Sequence, residues 1–419
     1  MSDRRSFNEQ RKEPCNEPYD VLVVGAGMIG SALALGLSRQ GWRVGLVEGS
    51  KRDVLLEESA PARDVDDFEP RVSAISVASQ QLLDELGVWR SATAGRHCAY
   101  QAMTVWDGDG TGRIHFDAAE LQSRSLGTII ENRSIVRALM AALVDSDVAV
   151  MDGAQVVGCR QRGDVRSVEL ADGQTLSAGL VVAADGAQSR LRQWVGLPTR
   201  EWDYDQQAIV CTVQTSQNHQ NTCWQRFSPS GPLAFLPLLN EQGEDRFCSI
   251  VWSQDTHEAR RLMALDEERF RAELERAIER ELGVVEQVSR RFAFPLRQRH
   301  AKDYIAPGFA LVGDAAHTIH PLAGQGANLG YGDVRVLLEE LARARQSGLA
   351  PGHSMVLSRF QRRRKGENLA MMAAMEGFKQ LFARDELPLR WLRNTGMRWL
   401  DQLAPVKNRI AAEAMGLKR

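Results

Sequence analysis

An apolar run, Asp20-Val-Leu-Val-Val24, stops at Gly25-x-Gly27-x-x-Gly30, and this junction constrains the fold more than any other stretch. A short, continuously apolar run reads as a parallel strand buried on both faces. Ser31 to Gln40 then reads as a helix of small residues ended by Gly41, and Arg43 to Glu48 as a second strand. Strand, glycine turn, helix and strand make one βαβ unit of about 30 residues. Gly25 permits the tight turn, Gly27 lets the backbone approach a pyrophosphate, and Gly30 lets helix and strand pack closely. The free N–H groups and positive dipole of the helix N-terminus favour phosphate there. Glu48 ends the second strand about 20 residues on, where an acid takes a ribose 2′-OH and disfavours a 2′-phosphate. Val21 to Leu37 carries no charge, but its glycines argue for this unit and against a membrane span.

Two further motifs have the same character. Leu180 to Ala184 is a buried-strand pattern that delivers Asp185-Gly186, with Arg192 beyond. An acid-glycine turn at a strand's carboxyl end is where open α/β sheets bind ligands. Later, Phe309 to Val312 delivers Gly313-Asp314, and a loop through His317, His320 and Pro321 leads to Gly324, Gly326, Ala327 and Asn328. This second glycine-rich turn opens a helix, whose N-terminus suits negative charge developing on a ring system. Two distant acid-glycine sites plus a dinucleotide turn exceed what a nicotinamide cofactor would use. A cofactor with a ribityl chain and an isoalloxazine would use all three, which implies FAD.

A chain of 419 residues exceeds what one core usually supports. From about Gln207 to Ser253 the pattern shifts to strands rich in Val, Thr, Phe and Trp, and the buried-strand pattern returns at Phe309. The expected architecture is α/β, with α+β character in the second lobe. A discontinuous Rossmann-like FAD-binding domain would span 19–198 and 299–350, with an antiparallel-sheet substrate domain at 199–298. A helical C-terminal segment would occupy 351–419, after a disordered leader at 1–18. Gly108-Asp-Gly110-Thr-Gly112 resembles a second dinucleotide turn but reads as a hairpin loop. A nicotinamide reductant would therefore have to visit transiently. The net charge of −2 gives no reason to expect nucleic acid as a partner. Six scattered cysteines without a CxxC pair fit a reducing, cytoplasmic compartment.

The three motifs, in this order and spacing, resemble the single-component aromatic hydroxylases of the para-hydroxybenzoate hydroxylase fold. Arg71-Val-Ser-Ala-Ile75, Glu131-Asn132 and the Gly313 to Gly326 stretch resemble more closely the ubiquinone-biosynthesis flavin hydroxylases, over about Tyr19 to Leu417. Val105-Trp106-Asp107, Trp202 to Tyr204, Cys248 to Trp252 and Met375 to Phe378 look most like the branch that hydroxylates C5 of a 2-polyprenylphenol. Ala327 stands where the pattern more usually has Val or Met. The resemblance implies that Gly25, Gly27, Gly30 and Glu48 hold the ADP half and that Arg71 and Asn132 contact the cofactor. It places Asp185 and Gly186 in a flavin and pyridine-nucleotide motif. Gly313 and Asp314 would meet sugar hydroxyls, with Pro321, Gly324, Gly326, Ala327 and Asn328 beside the isoalloxazine. The implied reaction is aromatic hydroxylation by a flavin C4a-hydroperoxide, with NAD(P)H and O2 as cosubstrates. No residue is assigned as a catalytic acid or base.

Other readings compete. Asp314, His317 and His320 have spacing that a metal could use, but Pro321 disfavours the helix this needs, and His317 reads better as a structural hydrogen-bonding residue. A halogenase would show WxWxIP, which is absent. A sister hydroxylase acting at another ring position and a flavin-bound structural subunit of a biosynthetic complex are the alternative functions. Leu233 to Leu238 and Cys248 to Trp252 could line a substrate cavity, but plain core strands show the same alternation. From Pro351 onward Lys and Arg outnumber Asp and Glu by 14 to 6. Met371, Met375, Phe378 and Phe382 mark one apolar helical face. Leu389, Leu392, Trp399, Leu400 and Leu403 mark another, with Arg390, Arg393 and Arg398 nearby. Such a tail suits peripheral contact with an inner-membrane surface. It suits equally packing on the chain's own core or a subunit interface. The expected partners are a polyprenylphenol-type lipid substrate, other ubiquinone-biosynthesis proteins and a second copy of the chain.

Overall fold

The computed structural model describes residues 17–58, 60–319, 325–383 and 386–417. Most of the expected leader, and Pro321 and Gly324 of the third motif, lie outside these residues. The first sheet is parallel at its centre. Its strands run Phe309–Leu311, Thr175–Ala183, Tyr19–Val24, Val44–Val47 and Ala149–Met151, with the antiparallel strand Ile305–Ala306 at one edge. Val21, Leu22 and Val23 are wholly buried in a core shared with helix Met28–Arg39 and with Cys159, Val168 and Leu170 of an antiparallel strand pair, which is why the run is apolar without alternation. Register then does the functional work. Val24 pairs with both Val47 and Ala183, and Ala183 pairs with Leu311. The residues that follow, Gly25, Glu48, Ala184 and Val312, therefore emerge together along one carboxyl edge of the sheet.

The second sheet runs Phe292–Ala301, Thr199–Thr215, Phe247–Asp255, Leu233–Leu238, Thr222–Phe227, Ala102–Asp107 and Arg113–Asp117, with His317–Thr318 beside Phe292–Ala301. It departs from expectation in two ways. Ala102–Asp107 and Arg113–Asp117, expected in the cofactor lobe, are strands of this sheet, and Ala102–Asp107 joins it by parallel pairing with Thr222–Phe227. A period-two pattern identifies a strand but not its partner, so local sequence could not assign these two. Helices Thr256–Met263 and Glu267–Ala277 cover one face through Ala259, Leu262, Phe270 and Leu274, packed on Ile209, Phe235 and Ile250. A third sheet, Val72–Ser76, Gly127–Glu131 and His97–Tyr100, bridges the two and carries Arg71 and Asn132 at its margin.

Four helices follow: Gln325–Gln346, Ser354–Ala383, Leu387–Gln402 and Ala404–Ala414. The third is clasped to the hairpin of Ala102–Asp107 and Arg113–Asp117. The Arg393 guanidinium donates to Asp107 with both side chains almost fully buried (2.7 Å), and the Asn394 amide donates to the same carboxylate. Gly112 N–H donates to Asn394 Oδ1. A Cβ on Gly110 would lie 2.2 Å from the Asn394 amide. The glycines of this loop make room for Asn394, which explains the false likeness to a phosphate turn. Losing one partner of such a buried pair costs about 3–5 kcal/mol.

Candidate active site

The first turn is built by collision limits. Gly25 has φ +105°, and a Cβ there would sit 2.4 Å from the Ala184 carbonyl; a Cβ on Gly30 would sit 1.9 Å from the Gly25 carbonyl. Gly27 differs. Its φ of −67° suits any residue, and a Cβ there would meet nothing within 4 Å. Gly27 is also the N-cap of helix Met28–Arg39, which has no side-chain cap and no acid in its first turn. Uncapped N–H groups facing open space on a helix of this length are suited to an anion. Glu48 accepts from Ala26 N–H at 2.7 Å and from Ser50 N–H at 2.8 Å, so it braces the glycine turn while remaining on the cavity wall.

That cavity has a volume of about 770 Å³ and follows the carboxyl edge past Gly25, Gly27, Glu48, Asp185 and Arg299. Asp185 Oδ2 accepts from the N–H groups of Arg190 and Leu191. Its Oδ1 is buried with no hydrogen-bond partner among the described residues. Gly186 has φ +82° and open space where a Cβ would stand. Arg192, buried, donates to the carbonyls of Ala315 (2.7 Å) and Ala187 (3.1 Å), tying the second motif to the third. An orphaned buried acceptor, an uncapped helix and two open glycines fit a cofactor with a pyrophosphate and a chain of sugar hydroxyls.

The third motif turns at Gly313, φ +57°, and leaves the Asp314 side chain exposed. The protein packed around this carboxyl desolvates it and pushes it up, with His317 and Arg71 drawing it back. Behind the turn lies a buried network. Asp333 Oδ2 accepts from Gly313 N–H (2.9 Å) and pairs with His317 Nε2 (2.6 Å). Its Oδ1 accepts from Arg364 Nε (2.7 Å) and the Asn368 amide (3.3 Å). Burial alone would raise the Asp333 carboxyl, but the His317 and Arg364 charges and hydrogen bonds hold it at about 2. His317 thus turns inward to Asp333, the use expected of a structural hydrogen-bonding residue; His320 lies outside the described residues. Asp333 itself was missed, because a lone acid on an amphipathic helix carries no signal.

Asn328, expected beside the isoalloxazine, uses its amide on the protein. It accepts from Ser76 N–H and the Ser79 hydroxyl and donates to the Ala74 carbonyl, each at 2.9 Å. It pins the third motif's helix to strand Val72–Ser76. Ala327 packs on the first core, and Gly326 has open space in place of a side chain. Arg71 is exposed, its guanidinium 5.5 Å from the Phe294 ring centroid. Asn132 donates its N–H to the Arg71 carbonyl and accepts from the Ser73 hydroxyl at 2.6 Å.

Beside Ala74 opens a second cavity, of about 210 Å³, lined by Tyr100, Met103, Phe116, Leu236, Met375 and Met415 among others. Strand Leu233–Leu238 divides between two roles: Leu233 and Phe235 fill the core under the helices, whereas Ala234 and Leu236 face the cavity. The Met371 and Met375 face also turns to this cavity, and Phe382 packs inward against Phe227.

The FAD binding domain family matches residues 18–366. The chain is 38% identical to the 3-demethoxyubiquinol 3-hydroxylase of Escherichia coli, over 96% of this chain and 100% of that protein. It is 36% identical to the ubiquinone hydroxylase UbiL of Rhodospirillum rubrum, over 95% of this chain and 89% of that one. Among solved structures, PqsL of Pseudomonas aeruginosa, a probable FAD-dependent monooxygenase, shares the fold with a TM-score of 0.73 at 23% identity, over 91% of this chain and 100% of PqsL. The sequence motifs, the cleft lined by the first two of them and these likenesses agree: the chain belongs to the FAD-dependent hydroxylases of ubiquinone biosynthesis and is a flavoprotein monooxygenase.

Proposed function

We propose that this chain hydroxylates the ring of a polyprenylated phenol or quinol, taking electrons from NAD(P)H and oxygen from O2. The observation that carries the reading is the uncharged cavity set against Ala74, whose carbonyl is bound by Asn328 of the third motif. Gly25, Gly27, Glu48, Asp185 and Asp314 would hold FAD, which when bound and reduced supplies the oxygen-activating chemistry. The protein's own part is placement and dryness. Among the described residues of the second cavity's wall, Tyr100 and Cys223 are the titratable groups, and burial pushes both upward, so these residues stay neutral at physiological pH. A neutral, apolar wall orients a ring without competing for its hydroxyl proton and excludes water.

The likeness to a 3-demethoxyubiquinol 3-hydroxylase supports that ring position over C5 of a 2-polyprenylphenol, which rests on four short segments. The test supplies FAD-loaded protein with NADPH, labelled O2 and each ring substrate in turn. The expected product is a demethoxyquinol ring carrying one labelled oxygen. Label entering only the polyprenylphenol would move the position to C5. NADPH oxidation with label in neither ring would refute hydroxylation of this substrate class.

A further inference from the structure

A cavity of about 210 Å³ encloses a substituted ring but little more, since about 150 Å³ already accommodates benzene. If the ring of a prenylated substrate sits there, as proposed above, its tail must leave. The wall contributed by the last helix, Ala404–Ala414, includes Ile410, Ala411 and Ala414. Ile410 is also 42% exposed, so one side chain belongs both to the cavity wall and to the outer surface. That outer surface is apolar. Trp391 and Trp399 are 68% and 67% exposed, and Leu403, Val406 and Ile410 continue the row at 46%, 47% and 42%. Trp391 and Trp399 lie on Leu387–Gln402, Leu403 is the junction between the two helices, and Val406 and Ile410 stand one turn apart on Ala404–Ala414. Two tryptophans exposed to this degree beside three aliphatic residues form a patch of the kind that marks an interaction surface.

We infer that this row is a bilayer-docking surface, through which the tail of the substrate stays in lipid while its ring enters the cavity. Two features favour a lipid surface with anionic headgroups as the occupant. Tryptophan is suited to the membrane–water boundary, where an apolar ring and a polar N–H are both satisfied. Arg398 lies two turns beyond Trp391 and Arg409 one turn beyond Val406. Both are exposed and neither is in an ion pair among the described residues; of the acids on this stretch, Asp401 is paired with Lys407, and the exposed Glu386 and Glu413 lie at its two ends. No helix among the described residues is long and apolar enough to cross a membrane, so the contact is peripheral. The buried Arg393–Asp107 and Asn394–Asp107 contacts fix the surface relative to the cavity.

The test is flotation of flavin-loaded full-length protein with vesicles of phosphatidylcholine alone or mixed with phosphatidylglycerol, for wild type and the Trp391→Ser/Trp399→Ser variant. Wild type should float with the anionic vesicles, less so at high salt, and the variant's bound fraction should fall about tenfold or more. The variant should also lose turnover of a long-tailed ring embedded in those vesicles while keeping turnover of a short-tailed soluble ring. A wild type that stays with the buffer, or a variant that floats equally well, would overturn the inference. So would a wild-type dimer that the double variant converts to monomer without flotation in either. Failure of wild type to turn over even the short-tailed ring would strike the proposed reaction, while the flotation result would still decide the surface.

Discussion

Asp333 is the residue whose loss should be felt most widely, and the structure says how. Its carboxylate is wholly buried and receives four groups: Gly313 N–H, His317, Arg364 and Asn368. Asp333→Asn keeps the volume, removes the charge, and presents an N–H₂ where an acceptor is needed. The Arg364 side chain is 5% exposed and among the described residues retains the half-exposed Glu367 as its counterion. Stranding a buried charge costs about 3–5 kcal/mol; with Glu367 compensating in part, about 3 kcal/mol is expected. At about 2.1 cal/mol/K of unfolding entropy per residue, that corresponds to a midpoint about 3 °C lower if the chain melts as one unit. The same substitution loosens the Gly313 turn that presents Asp314, so FAD should be retained several-fold less through gel filtration. A pH series adds a signature. The folded carboxyl sits at about 2, below its ordinary 3.8, so Asp333 stabilises the fold above about pH 4, and this contribution is lost as pH falls from 4 to 2. The variant should lack that part of the acid slope. Asp333→Asn with a wild-type midpoint, wild-type FAD retention and an unchanged acid slope would refute the reasoning.

Other expectations follow from the same geometry. Gly27→Ala should fold with a wild-type midpoint but bind FAD more weakly, because its methyl meets only open space, whereas Gly30→Ala should destabilise the fold itself by colliding with the Gly25 carbonyl; thermal melting and flavin titration of the pair separate the two roles. Asp314→Ala should lower FAD occupancy several-fold, since a hydrogen bond to a charged acceptor is worth about 1.5–3 kcal/mol, and full occupancy after dialysis would remove the assignment. His300 is held at about 4, below its ordinary 6.5, first by burial and then by the charges of His317, Lys365 and Arg200, with its Nε2 beside the Tyr304 hydroxyl. The unfolded chain therefore takes up a proton on this residue first, so stability should fall as pH drops from 6.5 towards 4. The urea midpoint should fall less between pH 7 and pH 5 in His300→Gln than in wild type, and equal falls would show that His300 is not responsible.

The cofactor edge was legible because its chemistry is local. Gly25, Gly27 and Gly30 each answer a steric or dipolar demand within a few residues, and Asp185 and Asp314 each follow directly from a strand that reads as buried. The register that assembles them was not legible in strand length, since the paired strands run from 3 residues (Phe309–Leu311) to 9 (Thr175–Ala183) and only their pairing brings Val24, Val47, Ala183 and Leu311 level. Asp333 was not legible. Its four partners come from residues 313 to 368, and nothing in its neighbours Gly332 and Val334 distinguishes it from an exposed acid on a long helix.

The second cavity shows where local patterns stop. Alternation along Leu233–Leu238 establishes that successive residues face opposite sides, and both sides are apolar. One side is filled, by Phe270 and Leu274 from the covering helices. The other is left open because the long helix Ser354–Ala383 and the last helix, Ala404–Ala414, stand off from the strand. That stand-off is set from elsewhere: by Asp107 gripping Arg393 and Asn394, by the Phe227–Phe382 stack at 4.4 Å, and by Ala78 N–H donating to the Met415 carbonyl at 3.1 Å. These contacts join residues roughly 150 to 340 positions apart in the chain, so no window of sequence contains them. A filled core and a binding cavity can therefore share one strand pattern, and remote polar clasps decide which face becomes which.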